Sequence, residues 1–228
     1  MENLAKNLLE ELNCDTVFTI PIFGGIPIME SMVVTWGIML FLILISIILV
    51  RDLRTQNISK RQMILETVIG GVYNFFDDLL GKGGRRYIPY LTTVALYLAL
   101  SNLMGLFGIK PPTKDLNITI ALAVMSIVLI EYSGIQAKGT KKWLKSFAEP
   151  VAVVAPINVL EIFIKPLSLC MRLFGNILGG FVVMELIKQI VPVILPIPFS
   201  FYFDIFDGLI QAYVFVFLTS LFIKEAIE

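Results

Sequence analysis

Apolar residues in this chain come in long unbroken runs, not in the one-faced patterns of a water-soluble domain. Met29 to Val50 is apolar apart from Glu30, Ser31, Thr35 and Ser46. At about 1.5 Å per residue such a run crosses a hydrocarbon layer of roughly 30 Å. Tyr87 to Ile109 and Asn117 to Gln136 are two further runs of crossing length, and together they predict a helical hairpin over 87–136. Residues 58–80 follow another pattern. Leu65, Val68, Ile69, Val72, Phe75, Phe76 and Leu79 fall on one helical face, with Glu66, Asn74, Asp77 and Asp78 mostly on the other. That pattern predicts an amphipathic helix in the membrane interface, ended by the turn from Gly81 to Arg86. Pro150 to Val191 covers about forty residues, nearly twice a perpendicular crossing. It fits two helices in a hairpin or one strongly tilted helix with a break at Pro166. A proline turn over 191–198 leads to a last long apolar helix, Phe199 to Ile223. Residues 1–28 are expected to form an acidic, helix-prone start and then a Pro/Gly loop.

Composition agrees with this division. The chain is 57% hydrophobic and 16% charged, against roughly 45–50% and 25% in soluble domains. The expected fold class is an all-α, polytopic membrane protein. It has about five transmembrane helices and an interfacial amphipathic helix, the last two helices (150–228) being long and tilted as a hairpin. The formal net charge is zero, so no basic field for nucleic acid is expected. There is no histidine, which removes the commonest acid–base catalyst and metal ligand. Cys14 and Cys170 have neither disulfide-framework nor metal-site spacing, and no cofactor is expected. The N-terminus lacks the basic region of a secretory signal and is expected to be retained.

Charge sets the expected orientation. Arg51, Arg54, Lys60 and Arg61 follow the first crossing, and Lys138, Lys141, Lys142 and Lys145 follow the third. The intervening loop after the second crossing has Lys110 and Lys114. The positive-inside rule then predicts an outer N-terminus, 29–50 as the first crossing, and a cytoplasmic C-terminus in a cell inner (plasma) membrane.

Candidate chemistry lies in the fourth apolar segment. Asn158, Glu161, Lys165, Ser168, Arg172 and Asn176 follow helical steps of three and four, giving one polar stripe. Gly179 and Gly180 continue it without side chains, which permits close approach of a neighbouring helix. An arginine at the centre of a membrane helix costs roughly 2.5–3.5 kcal/mol on insertion scales, so it marks a functional site with a partner. The last helix has Asp204, Asp207, Gly208 and Gln211 mostly on one face. If the two helices lie antiparallel, Asn176, Gln211 and the aspartates become candidate partners of Arg172.

The run Pro166-Leu-Ser-Leu-x-x-Arg172-Leu-Phe-Gly-Asn176 closely resembles the signature of subunit a of the F-type rotary ATP synthase. Asn158-x-x-Glu161, Gln211-Ala-Tyr-x-Phe-x-x-Leu-Thr219 and Thr113-Lys-Asp115-Leu-Asn117-Ile-Thr119 resemble family elements in the same order. The resemblance covers roughly residue 30 to the C-terminus. It implies a membrane stator whose last two helices lie against a ring of c subunits, with b subunits of the peripheral stalk and membrane lipid as further partners. It implies that Arg172 acts on the ion-carrying carboxylate of each passing c subunit. Two offset aqueous half-channels would deliver and remove the H+ or Na+. Ser168, Asn176 and Gln211 would flank the arginine, and Asp115, Asn117 and Asn102 would lie near the outer half-channel. Two positions depart from the family pattern. Many members have a Glu nine residues after the arginine and a His or Glu seven before the last-helix glutamine; here these are Phe181 and Asp204. Glu185 and Asp204 are therefore the expected relay pair, against the alternative that Glu185 only ends its helix beside Lys188.

The physics of a fixed guanidinium supports this role. Arginine stays protonated, attracts a carboxylate strongly across a low-dielectric gap, and lowers that group's affinity for its cation. The competing reading is a self-contained small channel or transporter binding an anionic substrate at Arg172. The absence of an internal repeat counts against it. No phosphate-cradling Gly-x-x-x-x-Gly-Lys element is present. ATP chemistry is thus expected elsewhere in a complex, and this chain is expected to be non-catalytic.

Overall fold

The computed structural model describes residues 16–20, 26–51, 53, 59–146, 155–190 and 196–228. Two short strands, β1 (Thr16–Ile20) and β2 (Ile26–Met29), pair antiparallel. Of the expected Pro/Gly loop, Pro27 lies in β2, and residues 21–25 lie outside the described residues. Thr16, Val17, Phe18, Thr19 and Ile20 are all β-branched or aromatic, and such residues favour a pleated strand. Pro27 lacks a backbone donor and is tolerated because the strand is an edge. Where a helix-prone start is expected ahead of that loop, Thr16–Ile20 is a strand, and residues 1–15 lie outside the described residues.

Among the described residues, five helical stretches are long and apolar enough to cross a membrane. α1 (Glu30–Val50) packs on the bundle through Ser31, Val34, Thr35, Ile38 and Leu42, and its last turn is reached by Arg61, which donates to Ile48 O at 3.4 Å. Leu44, Ile47, Ile48 and Val50 are exposed, which costs nothing in lipid because the helix satisfies its own backbone groups. α2 (Lys60–Gly84) starts at Ser59, whose hydroxyl accepts from Gln62 N at 3.2 Å. It kinks at Gly81, whose φ of 65° is left-handed and cheap only for glycine. Arg85 spans the kink with a paired contact to Asp77 at 2.5 and 2.7 Å. The apolar face expected on this helix divides. Phe76 of that face is buried, as is Leu80 beyond it, while Val68 and Ile69 stay exposed and line an apolar groove with Leu96, Ala99 and Ala212.

α3 (Ile88–Leu103) has a proline in its first turn, where no donor is needed. It runs into a 3₁₀ turn, Met104–Phe107, stopped by Gly108 at φ 73°. A second 3₁₀ turn, Pro112–Lys114, leads to α4 (Leu116–Lys138), capped by the Asp115 carboxylate accepting from Asn117 N. Thr119, Ala123, Ser126, Ser133 and Gly134 are buried along α4. Small side chains of this kind let membrane helices approach closely. A short helix, α5 (Thr140–Ser146), follows.

α6 (Ala155–Ile190) is a single helix of 36 residues that continues through Pro166. This decides between the hairpin and the single tilted helix. At 1.5 Å per residue it is about 54 Å long, well beyond a hydrocarbon thickness of about 30 Å, so it crosses only with a strong tilt. The final segment is α7 (Pro196–Ser200), a π-helical stretch Phe201–Asp207, and α8 (Gly208–Ile227). α3, α4, α8 and one face of α6 enclose the core, where Leu91, Leu98, Leu173, Phe215 and Ile223 are nearly inaccessible.

Candidate functional site

α6 presents two faces. Leu169, Cys170 and Leu173 turn into the core, and Cys170 Sγ donates to Thr119 Oγ1 on α4 at 3.5 Å. Ile164, Leu167 and Met171 turn outward and are exposed, as are Ser168, Arg172, Gly175, Asn176 and Gly179. The outward face is therefore apolar with a small, polar and cationic seam. Among the described residues, none offers Arg172 a hydrogen bond or an ion pair. In water this would mean little. On an apolar face at membrane depth, a guanidinium without an acceptor is expensive.

Three of the partners expected for Arg172, Asn176, Gln211 and Asp204, are engaged otherwise. Asn176 Nδ2 donates to Gln211 Oε1 at 2.6 Å, linking α6 to α8. Gln211 is 2% exposed, and its Nε2 has no partner among the described residues. Asp204 accepts from Ser200 Oγ at 2.6 Å. Gly180 turns inward against Phe203, whereas a side chain added at Gly179 would meet nothing within 4 Å. Of the two glycines that continue the stripe, only Gly179 leaves the outward seam open.

A cavity of about 550 Å³ lies between the end of α3, α6 and the π-helical stretch. Asn102, Asn176, Ser200, Asp204 and Asp207 supply its polar lining, with Lys110 and Lys188. Gly105 makes room for it, since a Cβ there would collide with Asp204 Oδ1. The π-helical stretch carries both aspartates. Such i→i+5 segments are rare and are frequent at functional sites.

Next to this cavity the loop before α4 is packed, not solvated. Thr113, Lys114 and Asp115 are all at least 95% buried. Thr113 Oγ1 donates to Asn102 Oδ1 at 2.9 Å, and Asn102 Nδ2 donates to Gly208 O at 2.7 Å. Ser31 Oγ donates to Asp115 Oδ2 at 2.5 Å, tying α1 to the loop. The Lys114 ammonium sits 3.3 Å from the centre of the Phe181 ring, a cation–π contact. Asn117 is exposed and takes part only through its backbone N–H.

Glu161 and Lys165 lie apart from the cavity. Lys165 Nζ reaches Glu161 at 3.3 Å and Glu225, near the end of α8, at 3.2 Å. Glu185 belongs to α6, but its side chain lies outside the described residues, so its expected pairing with Asp204 is a proposal only.

Two participants, Ser31 and Glu225, carry no signal in the sequence: one is a hydroxyl in an apolar run and the other lies in the charged C-terminal tail. Asp207 is a candidate through the face it shares with Asp204, but nothing in that spacing shows that Asp204 is bonded and Asp207 without a partner among the described residues.

Fold and site together define a polytopic, predominantly helical membrane protein whose outward face carries a cation unpartnered among the described residues, with a polar cavity beside it. The family model described as ATP synthase A chain matches residues 32–224. The chain is 36% identical over 206 residues to the ATP synthase subunit a of Moorella thermoacetica, covering 90% of this chain and 94% of that protein. It is 32% identical over 219 residues to a protein of Propionigenium modestum described as ATP synthase subunit a, sodium ion specific, covering 89% and 75%. A subunit a of a Bradyrhizobium species is 33% identical over 205 residues, covering 90% and 91%. The chain belongs to the ATP synthase subunit a family: it is an ion-translocating stator subunit of an F-type ATP synthase.

Proposed function

We propose that Arg172 is the fixed cation against which the carboxylates of a rotating ring of c subunits exchange H+ or Na+. The observation that carries this reading is the exposed guanidinium of Arg172, which has no acceptor among the described residues and stands on an apolar helix face. A passing carboxylate supplies the acceptor. Close to a permanent positive charge, that carboxylate favours its anionic form and releases its cation. The same charge repels a free cation moving straight from one side to the other, so ion flow is tied to ring movement. Lysine is a poorer substitute, because a desolvated ammonium gives up its proton and lacks the planar fork.

The cavity at Asn102, Asn176, Asp204 and Asp207 serves as the aqueous path on the outer side, with Asp115 in the packed loop behind it and Asn117 exposed on the first turn of α4. Ser168, Asn176 and Gln211 flank the arginine, and Gln211 with Asn176 holds α6 in register with α8. Glu161 and Lys165, with Glu225, line the second path toward the cytoplasmic side. The outward seam at Ser168, Gly175 and Gly179 accepts the ring. b subunits of the peripheral stalk hold the chain against rotation, and lipid covers the remaining apolar surface. The chain sits in a cell inner membrane with its N-terminus outside and C-terminus in the cytoplasm, and it catalyses no reaction itself. Glu185 joins Asp204 in the outer path.

Replacing Arg172 by alanine in the assembled complex tests this. Coupled ATP synthesis in vesicles falls to background while passive ion leak through the membrane sector persists or rises. Synthesis at the unsubstituted rate refutes the assignment.

A further inference from the structure

We infer that Asp207, not Asp204, is the last carboxylate to hold the cation between the polar cavity and the ring. This rests on the stator reading above. Both aspartates lie on the π-helical stretch and line the same cavity, but their surroundings differ. Asp204 is occupied: it accepts the Ser200 hydroxyl and is wedged against Gly105. Asp207 is half-buried and has no hydrogen-bond or ion partner among the described residues.

Position favours Asp207 as well. It is four residues from Gln211, whose side chain is bonded to Asn176. Asn176 lines the cavity and stands four residues, about 6 Å of helix rise, from Arg172. Asp207, Gln211, Asn176 and Arg172 thus form a continuous series from cavity to arginine, and Asp204 lies one step behind it. The charged groups sharing the cavity with Asp207 are Asp204, Lys110 and Lys188, while Arg172 is not among its lining. A carboxylate without a partner in an apolar span is costly. Its cost falls whenever it holds a cation, which a hand-off group does in turn with release. For H+, the O–H bond on Asp207 breaks as one forms on the ring carboxylate. Asp207 returns to its anionic form and takes the next proton from water in the cavity. For Na+, the ion changes oxygen ligands in the same order.

The test uses the assembled complex in inverted vesicles, with ATP-driven ion translocation read against pH at fixed Na+ and against Na+ at fixed pH. The arm that responds identifies the cation. Asp207→Asn is expected to lower translocation at least tenfold, with ATP hydrolysis by the detached soluble head unchanged. Asp207→Glu is expected to keep translocation but move its midpoint, and Asp204→Asn to lower translocation less than Asp207→Asn does. Asp207→Asn with an unchanged rate and midpoint overturns the inference, as does greater damage from Asp204→Asn. If Asp207→Asn does not assemble, Asp207→Glu decides: a moved midpoint supports the inference and an unmoved one overturns it. Arg172→Ala in the same vesicles separates the two levels. Its retention of coupling sinks the stator reading, whereas its loss beside an unaffected Asp207→Asn sinks only this inference.

Discussion

Asn176 on α6 and Gln211 on α8 are joined side chain to side chain, the Asn176 amide donating to Gln211 Oε1 at 2.6 Å. This bond engages the Gln211 amide oxygen, one of the acceptors the facing helix offers to Arg172. Gln211 is therefore a clamp between helices, and the arginine stays available for a carboxylate from outside the chain.

The clamp separates two substitutions at Gln211. Gln211→Leu removes one bond and costs about 1 kcal/mol of stability, the usual net value of a hydrogen bond. Coupled synthesis then falls only a few-fold, because Arg172 keeps its charge and freedom. Gln211→Glu adds a carboxylate to the series that ends at Arg172 and competes with the ring for it. Synthesis by the assembled complex falls at least tenfold. Equal synthesis rates for the two variants in vesicles would contradict this account.

Ser31 and Asp115 make a second inter-element contact with a measurable share in stability. Asp115 caps α4 through Asn117 N and receives the Ser31 hydroxyl. Asp115→Ala loses an N-cap worth about 1 kcal/mol and leaves a buried hydroxyl unpaired, at a further cost of about 1–3 kcal/mol. Ser31→Ala keeps the cap and costs less. In a double-mutant cycle read by thermal melting in detergent, the two changes couple by about 0.5–3 kcal/mol. Strict additivity would show that the contact contributes nothing.

Much of this architecture is legible in the residues, and the illegible parts share a cause. Runs such as Met29 to Val50 announce membrane helices because hydrocarbon admits no other use for them. Arg172 announces a site because of what a charge costs there. Pro166 was ambiguous because proline weakens a helix without always ending it, and α6 passes through it. The strands near the N-terminus were hidden by their shortness, four and five residues being too few for a period to show. Thr113, Lys114 and Asp115 looked like a polar loop and are buried, because their partners Ser31, Asn102 and Phe181 lie far away in sequence. The π-helical stretch left no sequence mark, so the division of roles between Asp204 and Asp207 could only emerge from geometry.

Close packing at Gly208 yields a prediction about folding. A Cβ there would lie 3.0 Å from Asn102 Cβ, and the Gly208 carbonyl is the acceptor of Asn102 Nδ2. Neither neighbour is a flexible side-chain end, so Gly208→Ala forces the helices apart. Overpacking of this kind costs about 1–3 kcal/mol. Thermal melting in detergent should show that loss. Gly71→Ala, with nothing within 4 Å of its new Cβ, should show none.

Gly179 offers the opposite separation. A side chain added there meets nothing within 4 Å, and the residue is exposed on the seam that carries Arg172. Leucine is a better helix former than glycine by several tenths of a kcal/mol. The fold therefore has no reason to reject Gly179→Leu, and the subunit should melt as before, within about 0.5 kcal/mol. A ring helix packed against the seam does have a reason, since small residues are what let membrane helices come close. Coupled synthesis should fall at least tenfold with subunit stability unchanged. That combination places the loss in docking, not in folding. Unimpaired synthesis by Gly179→Leu would mean that the ring approaches some other face, leaving the exposure of Arg172 without its proposed purpose.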